Sequence, residues 1–178
     1  FAPEHTTYGK YLCYQTYDVT DLLKQGDNII GLHLGNGWYY SFGAKPNTKT
    51  DGCLAALFQL EITYTDGTTE TLGSSDRAEW TLGPAIADLW AGEKYDASIE
   101  LKDWTSSDPS RKWAPVKVMK YGYDNLVPQN QDRVRAIAQL PVKQILQSPK
   151  GECILDFGQN MAGIVQMRTS LKAGQTIR

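Results

Sequence analysis

Leu54-Ala-Ala-Leu-Phe-Gln-Leu-Glu-Ile-Thr-Tyr-Thr-Asp-Gly-Thr-Thr-Glu-Thr-Leu72 is the stretch whose periodicity decides the fold class. Leu54, Ala56, Phe58, Leu60, Ile62 and Tyr64 recur at every second position, with Gln59, Glu61 and Thr63 between them. A strand turns successive side chains to opposite faces, so this pattern gives one apolar and one wet face. Asp66-Gly67 follows, a pair suited to a turn because glycine accepts positive φ without steric cost. Thr68 to Leu72 is again rich in β-formers, and residues 54–72 read as a β-hairpin.

Working outward, Tyr11-Leu-Cys-Tyr-Gln-Thr-Tyr17 and Ile29-Ile-Gly-Leu-His-Leu34 have strand composition and are bounded by turn residues. Between them Asp18 to Gly26 has capping-type residues, a leucine pair and a terminal glycine, the outline of one helical turn. Residues 73–113 hold four tryptophans among Gly-Pro and Ser-Asp-Pro breaks without sustained period, and read as long ordered loops. Ala114 to Tyr121 resumes β character, and the polar stretch 122–132 reads as a linker. Strands are expected again in Val134–Ile145, Cys153–Leu155 and Ile164–Thr169. The reading is therefore all-β: a sandwich over residues 1–121, then the start of a second sandwich over 122–178. Phe1 opens without a cap or first strand and the last residues enter a strand with no partner, so the sequence reads as a piece of a larger protein.

The composition narrows the function. The chain has 178 residues, 41% hydrophobic and 21% charged, with 18 Lys+Arg against 20 Asp+Glu for a net charge of −2. Basic residues form no stripe, so nucleic acid is not an expected partner. No apolar run reaches the ~20 residues a helix needs to cross a bilayer, so no membrane partner is expected. Three cysteines, Cys13, Cys53 and Cys153, lack CxxC spacing, allow at most one bridge, and read as small buried hydrophobes unless geometry brings Cys13 and Cys53 together; two histidines, His5 and His33, are too scattered for a metal centre, and His33 reads as a core residue. Five Trp and ten Tyr against four Phe favour rings with a polar handle, which suit sites that meet polar ligands.

Three strings carry more. Tyr17 through Gly35-Asn36-Gly37-Trp38-Tyr39 resembles the jelly-roll, galactose-binding-like accessory domain of bacterial α-L-rhamnosidases of glycoside hydrolase family 78. Gly83-Pro-Ala-Ile-Ala-Asp-Leu-Trp-Ala-Gly-Glu-Lys-Tyr-Asp-Ala97, with Trp104 and Trp113-Ala-Pro-Val116, is similar to the next block of that domain. Asp156-Phe-Gly-Gln-Asn-Met-Ala-Gly163 is similar to a string in the β-sandwich that follows it. The resemblance implies a parent enzyme that removes terminal α-L-rhamnose from glycans through carboxylates in an (α/α)6 barrel. No position here matches that barrel, so no catalytic residue is assigned and the expected partners are that domain and a rhamnose-containing glycan. The periplasm or cell exterior is favoured over the cytoplasm.

A sugar site needs a flat ring for the apolar face of a pyranose and fixed polar groups for its hydroxyls. Asn36, Trp38 and Tyr39 in one loop and Trp90, Glu93, Tyr95 and Asp96 in another supply both. No cofactor is required, and the residues assign no metal site. Calcium is the ion the resemblance admits, since some relatives of the first domain use it, and Asn36, Glu93 and Asp96 would supply part of its 6–8 oxygens. Against this stand blander roles: Asn36, Trp38 and Tyr39 cap the sandwich end, and Glu93 and Asp96 accept hydrogen bonds from loop amides. The readings carried forward are a carbohydrate-facing accessory module, a scaffold for the catalytic barrel, and a free-standing lectin-like domain.

Overall fold

The computed structural model describes residues 3–37, 53–88, 91–106 and 112–177. Contacts divide the chain into two units, one over residues 3–129 and one from residue 130 onward. Among the described residues the regular structure is strand, with two single 3₁₀ turns, Thr20–Leu22 and Ala97–Ile99.

In the first unit, β1 (Leu12–Tyr14) is followed by the hairpin of β2 (Gln59–Thr63) and β3 (Thr69–Gly73), which pair antiparallel from Gln59↔Gly73 to Thr63↔Thr69. The alternation places Leu60 and Ile62 on the covered side and Gln59, Glu61 and Thr63 in solvent. The turn closes through Tyr64 N–H to Thr68 O at 2.8 Å and Gly67 N–H to Tyr64 O at 3.0 Å. Asp66 Oδ1 accepts from both the Thr68 amide and hydroxyl, and Gly67 has φ +84°, a conformation that glycine adopts freely.

β4 (Glu79–Trp80) pairs antiparallel with β7 (Ala114–Pro115), and β5 (Ala85–Asp88) with β6 (Gly92–Tyr95). β4, β5 and β6 lie where the sequence reads as loop, whereas β7 lies in the stretch from Ala114 that reads as β. β6 is exposed along its whole length and has no apolar alternation to announce it; its order comes from backbone pairing. β8 (Leu126–Pro128) pairs parallel with β1, inside the stretch that reads as a linker, and Gln129 N–H donates to Tyr14 O at 3.0 Å.

The expected turn at Asp18–Gly26 is present: Asp18 Oδ1 accepts from the Thr20 amide, Gly26 has φ +93°, and Asn28 bonds both the amide and the carbonyl of Lys24. The expected strand over 29–34 is not; among the described residues that segment joins no ladder, and a Cβ on Gly31 would run into the Trp104 ring. His33 is exposed rather than in a core, as are Cys53 and Cys153, while Cys13 is half-buried.

The second unit holds the hairpin of β9 (Gln144–Gln147) and β10 (Cys153–Asp156). Its turn is tied by Ser148, whose hydroxyl accepts from the Lys150 and Glu152 amides and donates to the Glu152 carboxylate. No strand forms over 164–169. Among the described residues Thr6 is buried, its hydroxyl donating to Tyr11 O at 2.7 Å, and no hydrophobic side chain is fully withdrawn from solvent.

Candidate functional site

The candidate site is built on β5. Pro84 O accepts from the Asp96 amide at 2.9 Å, continuing the β5–β6 ladder by one rung. In an antiparallel pair backbone groups alternate in direction. Residues 84, 86 and 88 therefore turn their backbone toward β6, and 85 and 87 turn theirs to the other side. There Ala87 O accepts from the Asn36 amide at 3.2 Å, and Gly37 makes a parallel bridge with Asp88. β5 thus lies between the Asn36 segment and β6. The two segments run close here: a Cβ on Gly35 would stand 3.7 Å from that of Ala87, in ordinary van der Waals contact.

Ala87 is opposite Glu93 and Ala85 opposite Tyr95, so Glu93 and Tyr95 leave the same face of β6 as their alanine partners leave β5. Two small neighbours leave room above that face. Asn36 is half-buried and Glu93 and Tyr95 exposed. With adjacent strands ~4.8 Å apart, Asn36 and Glu93 stand about 10 Å from one another across β5, a span that a monosaccharide matches.

Asp96 leaves this constellation. Its Oδ1 accepts from the Ser98 amide at 2.9 Å and hydroxyl at 2.6 Å and caps the 3₁₀ turn that follows. These two bonds, with Lys94 adding a smaller attraction, hold its carboxyl below the usual carboxylate range. The Tyr95 phenol is pushed up, by slight desolvation first and then by the Glu100 carboxylate it bonds. A carboxylate pair of Glu93 with Asp96 is therefore not a shared acid–base centre, because one member is committed to a cap. Among the described residues no three of His, Cys, Asp and Glu converge as a metal ion would require. Trp38, Tyr39 and Trp90 lie outside the described residues.

Sequence reasoning passed over Asp88. It ends β5, its Oδ1 accepts from the Ala91 amide at 2.8 Å, and it meets both Gly37 and Gly92. Its signal was the Asp three residues before Ala91 and four before Gly92, a turn-closing pattern.

The profile of the α-L-rhamnosidase N-terminal domain matches residues 1–138, and that of the bacterial α-L-rhamnosidase concanavalin-like domain matches 146–178. The chain belongs to the α-L-rhamnosidase N-terminal domain family. An α-L-rhamnosidase of Streptomyces avermitilis is 37% identical over 99% of the chain, and one of Formosa agariphila is 32% identical over 98%. The chain spans less than a fifth of either, 18% and 19%. The crystal structure of the native α-L-rhamnosidase from Aspergillus terreus superimposes with a TM-score of 0.72 at 29% identity, covering 90% of this chain and 19% of that one. The all-β sandwich reading holds.

In the region matching the rhamnosidase concanavalin-like domain, the string Asp156-Phe-Gly-Gln-Asn acts as a turn lock. Asp156 Oδ1 accepts from the Gly158 amide at 2.6 Å and Oδ2 from Gln144 Nε2 at 2.9 Å, which holds the Asp156 carboxyl below its usual range.

Proposed function

We propose that the chain is the non-catalytic β-sandwich region of an α-L-rhamnosidase, and that the face beside β5 and β6 holds rhamnose-containing glycan for a catalytic domain elsewhere in the parent protein. The parent would hydrolyse terminal α-L-rhamnose. The observation that carries the binding reading is the register of the Asn36 segment, β5 and β6, which sets Asn36 against one side of β5 and Glu93 against the other. An amide and a carboxylate at that spacing suit hydroxyls on opposite sides of one sugar ring, one group able to donate and both able to accept. Trp38 and Trp90, each two residues or three in sequence from these groups, are the rings assigned to the apolar sugar face.

A scaffold role for the same sandwich is favoured by one observation: Asp96 is spent on a local cap. Calorimetric titration of the 178-residue chain with L-rhamnose separates the two. Saturable heat that falls at least tenfold in affinity in Asn36→Ala or Glu93→Gln, and persists in EDTA, supports the binding reading. Silence at millimolar sugar from a folded chain leaves the scaffold.

A further inference from the structure

We propose that Asp88 is a positioning residue for this site: it locks the segment bearing Asn36 and the strand bearing Glu93 in a single register. The proposal rests on the binding reading above. Asp88 is half-buried at the end of β5, where three backbone segments meet. Gly37, which follows Asn36, bridges to it from one side; Gly92, which precedes Glu93, pairs with it from the other. Its carboxylate accepts from the Ala91 amide at 2.8 Å. Each contact is thus one or two residues from a proposed sugar ligand.

Both flanking glycines have positive φ, +50° at Gly37 and +81° at Gly92. Glycine is conformationally permissive, so a partner for the neighbouring amide narrows what the backbone beside Gly92 can adopt. A hydrogen bond from a backbone amide to a charged carboxylate is stronger than a neutral one. A ligand that spans Asn36 and Glu93 benefits from having their spacing set before it arrives, because ordering the loops on binding subtracts from affinity. Asp88 provides that ordering without touching sugar.

An amide oxygen offers the Ala91 N–H the same acceptor without the charge, so Asp88→Asn serves as the conservative variant. The test combines L-rhamnose titration of the 178-residue chain with amide hydrogen exchange at Ala91. Asp88→Ala is expected to weaken rhamnose binding by about tenfold and to speed Ala91 exchange, the loss of one hydrogen bond to a charged group. Asp88→Asn is expected to stay within about twofold of the unsubstituted chain in affinity and to keep Ala91 protected, as an amide oxygen can take the same bond. Unchanged affinity in Asp88→Ala overturns the proposal, as does an Asp88→Asn chain that loses binding while Ala91 stays protected, which marks Asp88 as a direct ligand. If the unsubstituted chain gives no heat with rhamnose, the binding reading falls and this proposal with it; binding that is indifferent to Asp88 overturns the proposal alone.

Discussion

Asp18, Asp66, Asp96 and Asp156 do the same work in four places: each carboxylate accepts hydrogen bonds at a turn and is held below its ordinary range by them. The sign of the pH effect follows. A carboxyl whose folded pKa lies below its unfolded one contributes stability above the unfolded value, near pH 4, and loses it as pH falls through the folded value. The unfolding midpoint is expected to be level from pH 7 to about pH 4.5 and to drop below pH 4. Replacing Asp96 and Asp156 together with Asn should flatten that acid limb, as followed by circular dichroism in urea; an unchanged limb would remove these caps from the account. Glycine makes the complementary prediction. Gly158 has φ +74°, and a Cβ there would overlap the Lys143 side chain. Gly158→Ala should cost about 1–2 kcal/mol for the left-handed backbone alone. Trimming Lys143 to Ala in the same chain should recover only the overlap, leaving most of the loss visible in the urea midpoint.

Elements differ in how plainly the sequence announces them, and the two hairpins of the first unit show why. β2 and β3 were legible because one apolar face alternates with a wet one and Asp66-Gly67 names the turn. β5 and β6 were not, because Gly92 to Tyr95 is exposed throughout and its order rests on pairing with β5, which no residue pattern encodes. β8 was hidden for a similar reason, its partner being β1, more than a hundred residues earlier. Ile29–Leu34 failed in the opposite sense: strand composition is present, but among the described residues the segment joins no ladder. In the candidate site, Asn36, Glu93 and Tyr95 were legible from residue type and the family resemblance, whereas Asp88 emerged only from register, and Asp96 proved to be a cap. Hairpin order is tested at Gly67, whose φ of +84° makes Gly67→Ala costly by about 1 kcal/mol or more. Amide exchange should rise across 59–73 in that variant and stay unchanged across 85–95.

At the scale of the molecule, apolar side chains reach solvent in the second unit, with Ile137 90%, Ile164 84% and Val165 75% exposed. Apolar side chains exposed in this way are open to hydrophobic dyes. Ile164→Ser with Val165→Ser should lower dye fluorescence while leaving the unfolding free energy within about 0.5 kcal/mol, since neither side chain is withdrawn from water. A larger loss would mean those side chains are packed. The central claim concerns the first unit: a glycan-facing surface organised by β5. Its most direct test is a heteronuclear NMR titration of the 178-residue chain with L-rhamnose. The account predicts saturable amide shifts concentrated at residues 35–37, 87–88 and 91–95, with the β9–β10 hairpin silent. Shifts centred elsewhere, or a spectrum of a folded chain that does not move at millimolar sugar, would contradict it.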